Sequence, residues 1–389
     1  MKKLFSLMLT ALAILVLASC DNLEVRRMEP VTDTPSEDLL TLIVETDQGP
    51  IEQQINLQDA NEATVFDLLV EYFDVNYMMF DFGPMLLSIE SLVPGYGAFI
   101  SITHNGEPSL VGAQDIVYEA GDVITFEIAW WDMTMKAVRE AIEAVQAAGI
   151  EMYFLNHPNL YVGAALYHLG LHETLSARLD LTYGPVTEGQ LSQAILLYHL
   201  SDADTTTWLA ALDGIKTIAW PYATSLTVMA LSTAPNAAEV HATFFDDYVN
   251  DVAGRDLTTL DPDTLVLTYL ALIALPGETG SVLSEAVLDA IVATLHTSSF
   301  GPNAATTAHQ IIALTAAGLD ARAASYHHDG TDLIEQLLGF HDDAGAFYWN
   351  DDSAHVDLMF STPQAWLALV LYEAFMQQHS PIHPFIPQP

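Results

Sequence analysis

The sequence predicts a multidomain α+β protein, in which an N-terminal β-grasp-like α+β domain is followed by an all-α (α/α)6 toroid. Residues 39–132 contain short alternating runs that are typical of strands, interrupted by one helical segment. From about residue 135 the periodicity is helical, and one type of apolar helix recurs at intervals of 31 to 55 residues. A chain of 389 residues is long enough for two or three domains, each with its own core.

The first twenty residues have the composition of an export signal. Lys2 and Lys3 form a basic start, residues 4–17 are apolar, and Leu17-Ala18-Ser19-Cys20 ends the segment with small residues. This segment resembles a bacterial lipoprotein signal, in which the final cysteine becomes the lipidated N-terminus. We therefore expect lipidation at Cys20 and a location on the extracytoplasmic face of the cell membrane. An ordinary signal peptide or a short membrane anchor is the alternative.

The charge balance excludes one large class of partner. The chain has 51 acidic and 10 basic residues, a formal charge of −41 at pH 7. A surface that neutralises nucleic-acid phosphates cannot be assembled from so few basic side chains, so no nucleic-acid partner is expected. Cys20 is the only cysteine, so no internal disulfide can form. After the signal, no apolar run reaches the length of a membrane-spanning helix, which predicts a tethered protein.

The α+β domain is predicted over residues 39–132, after a linker at 21–38 that contains two prolines. Two β-rich runs at 39–45 and 51–57 are joined by Asp47-Gln48-Gly49-Pro50, which predicts a hairpin. Apolar residues between 65 and 73 recur at helical spacing. Alternating runs then follow at 97–104, which ends at Asn105-Gly106, and at 124–130.

The helical region is predicted over residues 135–378, with a proline-rich tail at 379–389. Its recurring helices are apolar on nearly all sides, whereas the helices between them are amphipathic, which predicts six buried helices surrounded by six half-exposed ones. We expect the array to close into a toroid, because an open solenoid, the structural alternative, requires polar end caps. The recurring helices carry Ala165-Leu166, Leu196-Leu197, Ala230-Leu231, Ala271-Leu272, Ala313-Leu314 and Ala368-Leu369.

Two parts of the sequence resemble one known family. Residues 95–102 (GYGAFISI), with Asn105-Gly106, Tyr118 and residues 121–124 (GDVI), resemble the small β domain of the transcobalamin and intrinsic-factor family. Residues 306–314 (TTAHQIIAL) and 361–369 (STPQAWLAL) resemble inner-helix starts of that family's α6-α6 barrel and, more distantly, of terpenoid-cyclase and prenyltransferase repeats. The segment HDDAGAF at 341–347 resembles a hairpin of those repeats, with His341 where glutamine is usual. The β domain comes first here, whereas the vertebrate carriers place it last.

Nine residues are candidate ligand contacts. Seven are polar residues near the starts of the buried helices, where unpaired N–H groups gather at one mouth of a toroid. Helix capping explains some of them equally well, as it does Asn303 and Ser361 nearby. The other two are aromatic residues of the β domain, for which packing is the alternative. The nine are Tyr96, Trp131, Tyr222, Thr224, Asp263, Thr306, His309, Gln310 and Gln364.

No catalytic residue or metal site is predicted. Asp261-Pro262-Asp263-Thr264 resembles the acidic motif of squalene-hopene-type cyclases, with Asp263 as the proton donor, but the third acid of that motif is missing. A prenyltransferase-like zinc site requires a thiolate, and Cys20 is assigned to the lipid anchor. His327-His328, His341 and His355 lack helical metal-ligand spacing and are expected at the surface.

The resemblance implies a ligand-binding lipoprotein that requires no cofactor, with a corrinoid such as cobalamin or a similar small molecule as its ligand. We expect that ligand between the toroid mouth and the β domain, and a membrane transporter is a candidate partner. The alternatives are a terpenoid-cyclase or prenyltransferase-like enzyme and a non-enzymatic surface module for adhesion.

Overall fold

The computed structural model describes residues 38–60, 63–149, 159–179, 187–277, 280–297 and 302–387. The signal segment, Cys20 and the linker up to residue 37 lie outside the described residues. The chain forms two compact units. Unit 1 comprises the described residues through Val93 together with Ile100–Ile128, and unit 2 comprises Pro94–Phe99 and the described residues from Ala129 onward. Within this described part, no helix is both long and apolar enough to cross a membrane.

A five-stranded sheet in the order β2-β1-β7-β5-β6 organises unit 1. Strands β1 and β2 form the predicted antiparallel hairpin, whereas β1 and β7 pair in parallel. The turn before β6 is Asn105-Gly106, and both residues have the positive φ that favours these residue types. The strands are β1 (Leu39–Thr46), β2 (Gly49–Asn56), β5 (Ala98–His104), β6 (Glu107–Pro108) and β7 (Val123–Trp130).

Two helices accompany the sheet in unit 1. The short α1 (Leu57–Ala60) follows β2, and α2 (Val65–Tyr72) is the helix predicted from apolar spacing. Thr64 and Asp67 form a reciprocal capping box that fixes the start of α2. The helix buries its apolar side in a core that includes Leu40 and Phe126 from the sheet.

A second hairpin in unit 1 was not predicted. It pairs β3 (Val75–Phe80) with β4 (Gly83–Ile89) and turns at Gly83, whose φ is +118°. Its strand and turn residues expose several large apolar side chains, including Met79 and Phe82. A continuous apolar run predicts burial, so this exposed two-stranded ribbon could not be predicted from the sequence pattern. Methionine-rich exposed surfaces are typical of adaptable binding sites.

Unit 2 is helical, and six of its helices are buried along most of their length. We call these the buried helices. Each contacts the next one along the chain, and the last contacts the first. They are α4 (Leu160–His168), α6 (Glu188–Leu200), α8 (Pro221–Ser232), α11 (Pro262–Ala274), α13 (Ala304–Ala316) and α15 (Ser361–Gln378).

Six further helices flank the buried ones, and each packs against at least one of them. Their apolar faces point inward and their polar faces outward, as the amphipathic pattern predicted. The flanking helices are α3 (Met133–Ala147), α5 (His172–Arg178), α7 (Thr206–Ile215), α10 (Ala242–Ala253), α12 (Ser281–Ala293) and α14 (Leu333–Leu338), and a short α9 (Ala237–Val240) precedes α10.

The C-terminal tail packs into unit 2. His383 is buried, and its Nε2 bonds the Leu270 carbonyl at 3.1 Å, while its Nδ1 accepts from the backbone N–H groups of Phe385 and Ile386 at 3.2 and 3.0 Å. Phe385 is fully buried, with its ring edge-to-face against Tyr161. The proline-rich sequence has no periodicity, so this role of the tail was not predicted.

His383 makes the stability of unit 2 dependent on pH. Burial lowers its pKa from the ordinary 6.5 to about 4, so the unfolded chain binds a proton in this interval and the folded chain does not. Stability attributable to His383 should therefore fall as the pH decreases from about 6.5 to 4, by about 3 kcal/mol in all. Urea unfolding of wild type and His383→Gln should show a difference in unfolding free energy that shrinks over this interval.

His355→Gln is the matched control, because His355 is exposed. Its difference from wild type should stay constant with pH. A constant difference for His383→Gln as well would contradict the assignment.

Candidate functional site

A pocket of about 130 Å³ lies in unit 2, at the N-terminal ends of buried helices. Its wall comes from the starts of α4 and α8, from one residue of α6, and from the start of α15 with the two residues before it. Four separate buried helices therefore contribute to one small site. The lining residues are Asn159, Leu160, Tyr161, Gln193, Tyr222, Leu226, Met359, Phe360 and Gln364.

The rim of the pocket is apolar and aromatic. Met359 and Phe360 are both mainly exposed, although each carries a large apolar side chain. Trp220 is also exposed, and its ring stacks on Tyr222 with 5.4 Å between ring centroids. Exposed aromatic and methionine side chains around a concavity are typical of sites that bind small molecules.

A chain of polar side chains lies behind the pocket. His309 of α13 is buried, and its Nδ1 lies 3.0 Å from Asp263 Oδ1 while its Nε2 lies 2.7 Å from the Tyr161 hydroxyl. A carboxylate can only accept, so His309 Nδ1 carries a proton and donates it to Asp263. In the neutral ring, Nε2 then accepts from Tyr161. The relay Asp263–His309–Tyr161 thus connects α11, α13 and α4.

The environment keeps the relay in defined protonation states. Burial raises the pKa of Asp263, but the electrostatic interaction with His309 and hydrogen bonds from His309 and Thr306 outweigh it and lower the pKa overall. Burial raises the pKa of Tyr161 well above its ordinary value, and a hydrogen bond from Gln364 acts in the opposite direction. Burial also raises the pKa of Tyr222. We therefore infer that, at neutral pH, Asp263 is an ionised carboxylate, whereas Tyr161 and Tyr222 at the pocket are neutral phenols.

Gln364 is the last polar group of this chain. Its side chain is only 6% exposed, and a hydrogen bond from its amide to Tyr161 acts to lower the pKa of that hydroxyl. Within the described residues, Oε1 has no hydrogen-bond partner. Buried acceptors without partners are rare, because leaving one unsatisfied costs about 1–3 kcal/mol. Gln364 thus brings an unused acceptor to the pocket wall.

The structure brings five of the nine predicted site residues together. Tyr222 and Gln364 line the pocket, Asp263 and His309 form the relay, and Thr306 bonds Asp263. Asp263 is not a helix cap, because Asp261 performs that role for α11.

Thr224 and Gln310, two other predicted ligand contacts, form hydrogen bonds with backbone carbonyls. Thr224 Oγ1 donates to the Trp220 carbonyl at 3.1 Å, within the first turn of α8. Gln310 Nε2 donates to the Thr294 carbonyl at 2.9 Å, which joins α13 to the end of α12. Neither side chain lines the pocket. In this structure both side chains contribute hydrogen bonds that stabilise the helices.

The two aromatic candidates also lie outside the pocket lining. Tyr96 packs against the helical core of unit 2, and its ring is 5.9 Å from those of Trp131 and His379. Trp131 is 63% exposed. Tyr96 thus follows the packing alternative, and Trp131 lies on the surface of unit 2.

Sequence reasoning missed Tyr161, the central residue of the relay. It lies at the start of α4, in LYVGAALYH, where a tyrosine among apolar residues reads as core. The available signal was its position two residues after the N-cap Asn159, which corresponds to Tyr222 two residues after Trp220 in α8. Met359 and Phe360 were missed because they precede the helix pattern of α15.

No metal centre is present among the described residues, where no group of three or more His, Cys, Asp or Glu side chains converges. His328 is highly exposed and lies 3.5 Å from Asp329 in a surface turn. The polar chemistry of this part of the molecule is therefore concentrated in the relay and pocket.

Loss of the Tyr161 hydroxyl should destabilise the protein measurably. Tyr161→Phe leaves His309 Nε2 and the Gln364 amide without their partner, which should lower the unfolding free energy by about 1–3 kcal/mol. Tyr72→Phe is the control, because Tyr72 is exposed, and it should change stability by less than about 0.5 kcal/mol. Equal effects of the two substitutions in urea unfolding would contradict the relay.

Comparison with known proteins places part of unit 1 in a family. Residues 62–129 match the model of the Domain of unknown function (DUF4430), a transcobalamin-like domain family. The match covers less than a fifth of the chain and ends before the first helix of unit 2. No curated protein matches the chain. The chain therefore contains a DUF4430 domain in its N-terminal half, followed by a helical region.

Proposed function

We propose that this protein is a membrane-anchored extracytoplasmic lipoprotein that binds a small molecule in the pocket of unit 2. The unused acceptor of Gln364, buried at the wall of a pocket with an aromatic rim, carries this proposal. Ligand sites combine apolar walls with a few fixed polar groups, and the relay fixes the orientation of the polar groups here.

The helical unit that holds the pocket is proposed to be an (α/α)6 toroid. The support is the circuit of contacts through the six buried helices, in which α15 packs against α4. An open solenoid would leave its first and last buried helices apart. In a toroid of this kind, the N-terminal ends of all six inner helices share one mouth, and the pocket residues lie at those ends.

Binding is favoured over cyclase chemistry at this site. A cyclase acid must be protonated to donate to an alkene, whereas the pKa of Asp263 is lowered by His309 and Thr306. Asp263 is also bonded to His309 rather than being a member of the pocket lining. The adhesion alternative predicts a mouth filled by large apolar side chains, and the polar groups in this pocket count against it.

A corrinoid is the second candidate ligand, favoured by the transcobalamin-like DUF4430 match in unit 1. The volume of about 130 Å³ corresponds to roughly four water molecules at about 30 Å³ each. A corrinoid macrocycle is several times larger, so only one of its amide substituents would enter the pocket. That substituent would donate to Gln364.

Ligand binding is tested by equilibrium dialysis with cobalamin and cobinamide and by thermal-shift screening of a library of small polar-aromatic compounds. A true pocket ligand should lose about tenfold in affinity with Gln364→Leu, because an N–H or O–H donor then lacks its acceptor. Gln378→Leu is the matched control, since Gln378 is exposed at the other end of the same helix. Failure of every compound, or binding that ignores Gln364→Leu, would contradict the proposed site.

The lipid anchor is tested separately. Cys20→Ser should abolish incorporation of a labelled fatty acid and move the protein from the membrane to the soluble fraction, because Cys20 supplies the only thiol. Ser19→Ala keeps a small residue before the cysteine and should leave both unchanged. Unaltered labelling of Cys20→Ser would contradict the anchor.

A further inference from the structure

We propose that the ligand of the unit 2 pocket is a protonated organic amine with an apolar substituent. The inference rests on the proposed function, because it assigns a chemical class to the ligand of the same pocket. Three independent features of the site support it: the hydrogen-bonding character of the wall, the use of the helix N–H groups, and the distribution of charge.

The polar wall offers acceptors. In the neutral relay, Tyr161 uses its hydroxyl proton on His309 Nε2, which leaves its oxygen as an acceptor. The Gln364 amide nitrogen donates to that oxygen, so the Gln364 carbonyl has no partner. Asn159 Oδ1 accepts from two backbone N–H groups, and its Nδ2 approaches the Met359 carbonyl at 3.4 Å. Gln364 Oε1 and the Tyr161 oxygen therefore favour a ligand that brings N–H or O–H donors, whereas the Gln193 amide and the Tyr222 hydroxyl, which also line the pocket, can donate or accept.

The helix ends at the pocket do not supply free donors for an anion. Asn159 caps α4, and Thr187 caps α6 within a capping box. At α15, Asp357 accepts from the N–H groups of residues 359, 360 and 361. Helix α8 has no side-chain cap, and Pro221 removes one of its first-turn N–H groups. At α4, α6 and α15, side chains therefore already occupy N–H groups of the kind that commonly bind phosphate or carboxylate.

The local charge is negative. None of the described residues that line the pocket is Lys or Arg. Asp261 and Asp263 lie close enough to Tyr222 for their charges to raise its pKa, in addition to the main effect of burial. The whole chain has a formal charge of −41, which attracts cations and repels anions.

The aromatic rim completes the match to an ammonium group. Three aromatic residues, Tyr161, Tyr222 and Phe360, line a space of about 130 Å³, and aromatic rings attract cations through their quadrupoles. One ammonium with a ring-sized apolar substituent fits this volume, with its N–H toward Gln364 and its substituent toward Met359 and Phe360. A neutral donor would form the hydrogen bond to Gln364, but it would gain no affinity from the negative charge of the protein or from the aromatic rings of the rim.

Four probes of similar size separate these features: benzylammonium, benzyltrimethylammonium, benzyl alcohol and benzoate. Their affinities are measured by calorimetry and ligand-observed NMR at 0.3 M NaCl, which screens non-specific attraction to the acidic surface. Benzylammonium should bind about tenfold or more tightly than benzyl alcohol, and benzoate should not bind. Benzyltrimethylammonium should bind more weakly than benzylammonium, because it has no N–H for Gln364.

Substitutions show which side chains are responsible for binding the probes. Gln364→Leu should weaken benzylammonium about tenfold and leave benzyltrimethylammonium within about twofold, while Phe360→Leu should weaken both about threefold. The controls are Gln378→Leu and Asp289→Asn, two exposed positions outside the pocket, and neither should change binding.

Two outcomes overturn the inference. If benzyl alcohol or benzoate binds as tightly as benzylammonium, and Gln364→Leu weakens that binding, the pocket binds ligands but does not select cations, and the proposed function stands. If benzylammonium does not bind, or binds equally to wild type and Gln364→Leu, the assignment to amines is wrong. The library screen then decides the proposed function independently.

Discussion

The hydrogen bond between His309 and Tyr161 is the interaction on which the candidate site depends. The two residues are 148 positions apart in sequence, and their side chains meet at 2.7 Å between helices α13 and α4. On one side His309 is held by Asp263, and on the other Tyr161 is held by Gln364. Each residue in this series fixes the hydrogen-bond donor and acceptor roles of the next one. The Asp263 carboxylate on α11 therefore determines which atom of the Gln364 amide on α15 has no partner.

The packing of the buried helices places the Asp263–His309–Tyr161 relay at one end of the core of unit 2. The buried helices are apolar on most faces, so their few polar side chains have to pair with each other or with backbone groups. Thr224 and Gln310 pair with backbone carbonyls and stabilise the helices. Within the described residues, Thr315 Oγ1 on α13 and the Trp366 Nε1 and Gln364 Oε1 atoms on α15 have no hydrogen-bond partner. Of these three side chains, Gln364 lines the pocket. The difference between a structural and a functional polar residue here is thus the presence of an unused atom beside a cavity.

Much of the organisation could be predicted from the sequence, because it depends on periodicity. The first hairpin, helix α2 and the alternation of buried with flanking helices all follow from the spacing of apolar residues. The small sheet of unit 1, in which β1 and β7 pair in parallel, agrees with the α+β class that was predicted for this region. The exposed ribbon of β3 and β4 and the buried tail around Phe385 were missed, since neither has a periodic pattern that matches its burial.

The site was only partly predictable for a related reason. Polar residues on apolar helices, such as His309 and Gln364, are conspicuous in the sequence, and the structure places His309 in the relay and Gln364 in the pocket lining. Tyr161 and Phe360 were not selected, because an aromatic residue in an apolar stretch looks the same in sequence whether it fills a core or borders a pocket. Gln310 and Gln364 also look alike in sequence. Contacts between helices that are distant in sequence determine which of the two keeps an atom without a hydrogen-bond partner.

The orientation of the Gln364 amide is the most direct test of this account. Neutron diffraction from deuterium-exchanged crystals at pH 7 would locate the exchangeable deuterons on Gln364, Tyr161 and His309. The account predicts deuterons on His309 Nδ1 and a Gln364 amide nitrogen directed at the Tyr161 oxygen, with the carbonyl unpaired in the absence of ligand. A Gln364 carbonyl that accepts from Tyr161, with the amide nitrogen turned to the pocket, would contradict it.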